Sequence, residues 1–367
     1  MDTTPVHGHR DARGSAAPTR RFDRDPFLVF YEATRACPLA CRHCRASAIR
    51  RPQPGELSPR QSESLLTDLT GFDAKPIVVF TGGDPMQRSD LTTLVAQAHD
   101  LGLTPSLAPA ATPCLSRSKL ETLRDAGLGR VAISLDGPDA ASHEALRCIP
   151  GSFEMSLHAA ERVTEAGLGL QVNTTVTRHN VDRLDDTAAV VESMGASMWS
   201  VFFLVPVGRG RHEEGIAPSQ YEAAFERLYA ASRQRPFAVK TTEAPFYRRY
   251  VLQRGDNPQL GPARAPLGVN DGNGVLFVAH DGAIQPSGFL PIECGRFPQD
   301  SVVATYRHHP TFRALRHPDG FGGKCGACEF RKVCGGSRAR AYAVHGDPLA
   351  AEPDCVYQPA KYQPQHN

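Results

Sequence analysis

From residue 27 onward the chain alternates short apolar runs with amphipathic stretches, and that rhythm predicts its architecture. The runs at 27–34, 77–80, 104–108, 130–135, 170–177 and 198–205 have the length and the β-branched or aromatic content of strands. Between them, 58–69, 91–101, 117–126, 153–166 and 181–194 repeat apolar positions at helical spacing. Six strands joined by helices predict an α/β domain with a parallel sheet, because parallel neighbours need a crossover connection. After Val205 the alternation stops. A mixed segment with one helical pattern at 218–232 leads into Gly-rich sequence near 255–274 and reads as a bridge. The apolar runs 275–279 and 283–286 then flank Asp281-Gly282, a dipeptide that tolerates the positive φ angles of a tight hairpin. The expected division is a polar, disordered tail at 1–26, a core at 27–210, a bridging segment at 211–273 and a small cysteine-rich module at 274–367.

Composition narrows the class without changing this picture. Hydrophobic residues make up 41% and charged residues 22% of 367, and the formal net charge is +2, so bulk nucleic acid is not an expected partner. No apolar run approaches the roughly 18 residues of a membrane span, and the basic N-terminus lacks the apolar stretch of a secretory signal. The expected location is the cytoplasm, where thiols stay reduced, and ten cysteines there point to metal or catalysis rather than disulfides.

Seven of those cysteines fall into two groups. Cys37, Cys41 and Cys44 follow the first predicted strand as C-x3-C-x2-C, at the sheet edge where α/β folds place ligand sites. Three thiolates can hold three irons of a four-iron cube and leave the fourth open, and a catalytic metal needs such an open position; three thiols make an incomplete structural zinc site. Cys325, Cys328, Cys334 and Cys355 form C-x2-C-x5-C-x20-C, enough to close a site completely. A structural zinc ribbon and a second four-iron four-sulfur cluster both satisfy that spacing. Cys114, Cys148 and Cys294 stand alone, and inert thiols are the expectation for all three.

The first group, together with Thr81-Gly82-Gly83-Asp84-Pro85 after the second predicted strand, resembles the radical S-adenosylmethionine (SAM) superfamily. The resemblance covers residues 27 to about 210 and implies a partial (βα)6 TIM-like barrel. It also implies that Cys37, Cys41 and Cys44 hold a 4Fe-4S cluster whose open iron takes SAM, with His43 in the family's aromatic-type position. Gly82, Gly83 and Asp84 match the Gly-Gly-Glu-Pro motif that receives the SAM amino group through its backbone; Asp84 stands where Glu is commoner. Ile133-Ser134-Leu135-Asp136-Gly137 resembles the fourth-strand motif, so the resemblance sets Ser134 and Arg147 near the SAM carboxylate, Asn173 near the ribose and Val205 beside adenine. The second cysteine group resembles the distal auxiliary-cluster site of C-terminal SPASM domains. Ser287 and Ser337 replace ligands expected there, so a shortened, twitch-like domain with one auxiliary 4Fe-4S cluster is implied.

Residues 32–37, 44–48 and 334–342 resemble the haem-biosynthesis branch, whose members oxidatively decarboxylate or remodel tetrapyrrole propionates. The implied activity is reductive SAM cleavage to a 5′-deoxyadenosyl radical that abstracts hydrogen from a small anionic substrate, with flavodoxin or ferredoxin as external reductant. Arg209, Arg211, Arg248 and Arg249 are the candidate contacts to that anion, since guanidinium groups pair bidentately with carboxylate or phosphate. The competing reading pairs them with local acids such as Glu213, Glu214 and Glu243. No residue takes an acid–base role. Open alternatives are a nucleoside or natural-product enzyme, including one inserting sulfur from its auxiliary cluster, a peptide maturase, and a non-catalytic electron-transfer scaffold.

Overall fold

Strict alternation builds the strand Gly169–Val176, in which Leu170, Val172, Thr174 and Val176 are buried while Gln171, Asn173 and Thr175 line a partly open face. The computed structural model, which describes residues 20–257 and 268–363, extends this pattern across one ten-stranded sheet. In chain order the strands are β1 Leu28–Thr34, β2 Ile77–Gly82, β3 Thr104–Leu107, β4 Arg130–Ser134, β5 Gly169–Val176, β6 Met198–Phe203, β7 Ala238–Thr242, β8 Val275–Val278, β9 Ala283–Gln285 and β10 Gly295–Arg296. Their spatial order is β10-β9-β8-β1-β2-β3-β4-β5-β6-β7; β8 and β1 to β7 run parallel, and β9 and β10 antiparallel.

The six expected strands form a partial TIM-like barrel, and the sheet continues past both of its expected limits. The helix Pro218–Gln234 delivers β7, which pairs with β6. The hairpin strand β8 pairs with β1 on the other side. The segment expected to bridge two domains and the hairpin expected in a separate module are therefore parts of one sheet. β7 escapes a hydrophobicity reading because its sequence, Ala-Val-Lys-Thr-Thr, carries a lysine and a threonine at inward positions. Residues 1–19 of the expected tail, and 258–267 of the Gly-rich stretch, lie outside the described residues. Residues 20–26 pack on the barrel: Arg20 donates to the carbonyls of Ala74 at 3.3 Å and Lys75 at 2.8 Å, and buried Asp25 accepts from the Asp73 amide at 2.9 Å.

The apolar core lies between the sheet's outer face and its helices, where Trp199 meets Phe237 edge-on at 5.9 Å. Helix starts are fixed locally. Ser58 and Gln61 exchange side-chain and backbone bonds in a capping box before Pro59–Asp68. The inner face is more polar, and the C-terminal strand ends that open onto it carry the residues of interest.

Candidate functional site

The loop after β1 is closed on itself. Cys37 N–H donates to the Ile49 carbonyl at 2.7 Å and Ile49 N–H to that of Arg35 at 3.0 Å, so both ends meet and the three thiols stand on one short segment. Two guanidinium groups staple it. Arg35 donates to the carbonyls of Ala46 (3.1 Å) and Ser47 (3.0 Å), and Arg209 to those of Cys41 (2.9 Å) and Ala48 (3.0 Å). Gly208 allows this approach, since a Cβ there would lie 2.1 Å from the Arg45 carbonyl oxygen. Three donors point at the sulfurs: Leu39 N–H to Cys37 at 3.4 Å, Ala48 N–H to Cys44 at 3.5 Å and Arg147 to Cys41 at 3.7 Å. Burial pushes the Cys37 thiol up to about 12 and raises Cys41 as well, so a cationic metal must draw the protons off. Soft thiolates, each with a hydrogen-bond donor, fit an iron–sulfur cluster.

Gly82 and Gly83 bring the end of β2 against this loop. A Cβ on Gly82 would lie 2.2 Å from the Thr34 carbonyl oxygen, and one on Gly83 2.4 Å from that of Ala36. Gly83 N–H donates to Thr34 and Asp84 N–H to Ala36, both at 2.7 Å. Asp84 is buried and accepts from the amides of Met86 (3.2 Å) and Ala110 (3.3 Å), so its carboxylate shapes the turn.

The fourth-strand motif leads into a buried charge network. Asp136 accepts from Arg147 at 2.7 Å and from the Thr175 amide at 2.8 Å, and lies 3.4 Å from His43 Nε2. Burial pushes this carboxyl up, and the Arg147 guanidinium beside it draws it back below its ordinary range. Burial, helped by Arg147 and Arg209, lowers His43 to about 4, so the imidazole is neutral. Arg147 thus bridges Asp136 and Cys41. Ser134 and Asn173 are register partners on the inner face, and Asn173 accepts from Gln171 at 2.8 Å. Val205 packs its side chain into an apolar cluster with Leu290, Leu315 and Ala339.

Cys325, Cys328, Cys334 and Cys355 line one partly open pocket together with Phe246 and Tyr357. Cys325 accepts from the Glu352 amide at 3.2 Å and from Arg338 at 3.6 Å, and Cys334 from the Gly336 amide at 3.4 Å. Burial raises Cys328, Cys334 and Cys355, the last to about 11. Among the described residues no three His, Cys, Asp or Glu side chains converge on a point that would hold a single ion. Ser337 caps the helix Arg338–His345 and donates to Glu243 at 2.5 Å, while Ser287 accepts from the Phe289 amide at 3.2 Å. Cys294 is buried and burial raises it to about 11; Cys114 and Cys148 are exposed.

The four arginines expected at an anionic ligand have other partners. Arg209 staples the cysteine loop. Arg211 is exposed, 4.0 Å from Glu213. Arg248 donates to the carbonyls of Val333 (3.0 Å) and Val269 (2.6 Å), and Arg249 pairs with Glu222 and Gln253 and lies 5.0 Å over the Tyr357 ring. The last two brace the second cysteine group. Arg209, Arg248 and Arg249 are held by residues distant in sequence, which composition could not show, whereas Arg211 lies beside the local acid Glu213.

Two further groups carry no individual role in the sequence reading. Glu32 on β1 joins Arg45 (2.9 Å) to His280 (2.7 Å), and Arg45 lies 4.6 Å over the Phe277 ring. Lys240 points inward from β7 beside Ser200 of β6. Among the described residues no helix is long and apolar enough to cross a membrane.

Residues 31–191 match the radical SAM superfamily. The sequence is 38% identical over 346 residues to an AdoMet-dependent heme synthase of Nitratidesulfovibrio vulgaris, covering 92% of this chain and 94% of that protein. It is 39% identical over 343 residues to an AdoMet-dependent heme synthase of Oleidesulfovibrio alaskensis, covering 91% and 88%. The fold matches the crystal structure of Streptococcus suis SuiB bound to S-adenosylmethionine with a TM-score of 0.70 at 16% identity, over 91% of this chain and 78% of that one.

Proposed function

The chain belongs to the radical SAM superfamily, enzymes whose fold binds SAM and a 4Fe-4S cluster, and from that membership we propose that it acts on a tetrapyrrole bearing propionate side chains. The observation that carries this reading is the similarity to heme synthases over 92% of the chain, well beyond the matched barrel segment. Cys37, Cys41 and Cys44 hold the SAM-binding cluster. Bound there, the cluster supplies one-electron chemistry to the SAM sulfonium, the source of the 5′-deoxyadenosyl radical. Arg35 and Arg209 fix the loop, and Asp136 fixes Arg147 against Cys41. The Gly82-Gly83 backbone, Ser134, Asn173 and the backbone near Val205 are the SAM contacts, while neutral His43 packs beside them. Phe202 and Phe289, both half-buried with ring centroids 6.1 Å apart, offer apolar faces to a flat macrocycle.

Cys325, Cys328, Cys334 and Cys355 hold a second 4Fe-4S cluster. Four thiolates lining one pocket match a four-iron four-sulfur cube with one thiolate on each iron, whereas a zinc ribbon would draw its four sulfurs to about 2.3 Å from one centre. A small external reductant such as flavodoxin or ferredoxin delivers the electron. Anaerobic, reconstituted protein given dithionite, SAM and an iron porphyrin with propionates should release 5′-deoxyadenosine and convert the porphyrin to a product lacking carboxylate, read by mass spectrometry. Replacing Cys37, Cys41 and Cys44 together by Ala should abolish that release. Release of 5′-deoxyadenosine with an untouched porphyrin, while a peptide or nucleoside is consumed, would move the enzyme to another substrate class.

A further inference from the structure

Four inward-facing polar residues stand side by side on four adjacent strands. Ser134 of β4 pairs with Asn173 of β5, Asn173 with Ser200 of β6, and Ser200 with Lys240 of β7. With neighbouring strands about 4.8 Å apart, the row spans about 14 Å. Ser134 and Asn173 are the half given to SAM above; Ser200 and Lys240 have no role so far. Ser200 is 1% exposed and its hydroxyl has no hydrogen-bond partner. Thr242, two residues past Lys240 on the same face, also has a buried hydroxyl without a partner. Lys240 is half-buried, and the charges that act on it are two further cations, Arg248 and Arg130. Arg248 is engaged by the carbonyls of Val269 and Val333, and Arg130 approaches the Met198 sulfur at 3.7 Å.

An inward ammonium flanked by like charge and by unbonded hydroxyls is unfavourable in the free protein, and an anion seated among them would satisfy all three donors at once. We propose that Lys240, Ser200 and Thr242 form a subsite for a carboxylate of the substrate, at the end of the polar row away from Ser134. The proposal rests on the tetrapyrrole reading for the identity of the carboxylate, not for the existence of the subsite. Burial, reinforced by Arg248 and Arg130, lowers the Lys240 ammonium to about 8, so a bound carboxylate would stabilise its charged form. SAM carries a carboxylate too, and the test separates the two sources.

Full-length reconstituted protein is titrated with a propionate-bearing porphyrin, with the methyl ester of that porphyrin, and with SAM. Lys240→Met should weaken binding of the free acid about ten- to a hundredfold and leave the ester's affinity unchanged, and Lys240→Arg should recover part of the loss. Unchanged affinity of Lys240→Met for the free acid overturns the proposal. So does a tenfold loss of SAM affinity with porphyrin affinity intact, which would assign the lysine to SAM's carboxylate. If the parent protein binds neither porphyrin, the tetrapyrrole reading falls, and the subsite is decided by reductive methylation. Protection of Lys240 by glutarate then upholds it, and equal methylation with and without glutarate refutes it.

Discussion

Arg209 commits two guanidinium nitrogens and its backbone N–H to the carbonyls of Cys41, Ala48 and Cys44. A bond from a charged donor contributes about 1.5–3 kcal/mol when its loss strands a partly buried partner. Arg209→Gln should therefore loosen the cysteine loop. The expected result is lower iron retention after anaerobic gel filtration and a lower thermal midpoint, with the substrate Michaelis constant of the loaded fraction unchanged. Full iron retention with a raised Michaelis constant would return Arg209 to the substrate. The contrast with the cysteines explains what was legible at this scale. Cys37, Cys41 and Cys44 carry their meaning in sequence spacing, because one short loop must present all three thiols. An arginine's partner is set by tertiary approach: the Arg209 bonds span 168 and 161 residues, so its role could not be read from its neighbours Val207, Gly208 and Gly210.

At the scale of elements, the turn after β2 and the cysteine loop after β1 are built as one unit. Gly83 carries no unusual φ, and its requirement is steric: a Cβ would lie 2.4 Å from the Ala36 oxygen and 2.5 Å from the Arg35 oxygen, both backbone atoms that cannot swing aside. Gly83→Ala should push the two elements apart at a cost of about 1–3 kcal/mol and weaken SAM binding at least tenfold. Gly129→Ala is the control, because its Cβ would meet nothing within 4 Å and should change stability by less than about 0.5 kcal/mol. Isothermal titration with SAM checks both; parent-like SAM affinity in Gly83→Ala would refute the unit. The strands that were legible, such as β5, alternate cleanly between a buried apolar face and a polar inner face. β7 was missed because the inner face is where function puts polar groups. β8 was read as a hairpin strand but not as a neighbour of β1, since pairing between strands so distant in sequence leaves no local pattern.

Across the whole molecule the second cysteine group is fastened to the same barrel edge that carries Lys240. Arg340 reaches the carbonyls of Phe203 (3.4 Å) and Leu204 (3.3 Å) at the end of β6 while pairing with Glu352 (3.1 Å) and Asp354 (3.1 Å). Glu352 in turn donates its amide to Cys325, and Glu243, directly after β7, accepts from Ser337. Arg248 and Arg249 join the same helix region to the pocket wall. The module is thus continuous with the barrel through buried hydrogen bonds from Arg340 and Ser337, the first of these held by ion pairs inside the module, and removing a thiolate there should be felt as loss of metal before loss of the fold. Anaerobically purified protein should carry about eight irons per chain, from two clusters of four. Cys325→Ala combined with Cys328→Ala should reduce this to about four and leave the electron paramagnetic resonance signal of the SAM-binding cluster in place. Replacing Arg340 by Met, which leaves Glu352 fully buried without its cation while half-buried Asp354 keeps only the Tyr221 hydroxyl, should destabilise the chain by about 3–5 kcal/mol. About four irons with one equivalent of zinc in the parent protein would replace the second cluster by a structural ribbon, because zinc closes a four-thiolate site and takes no part in electron transfer.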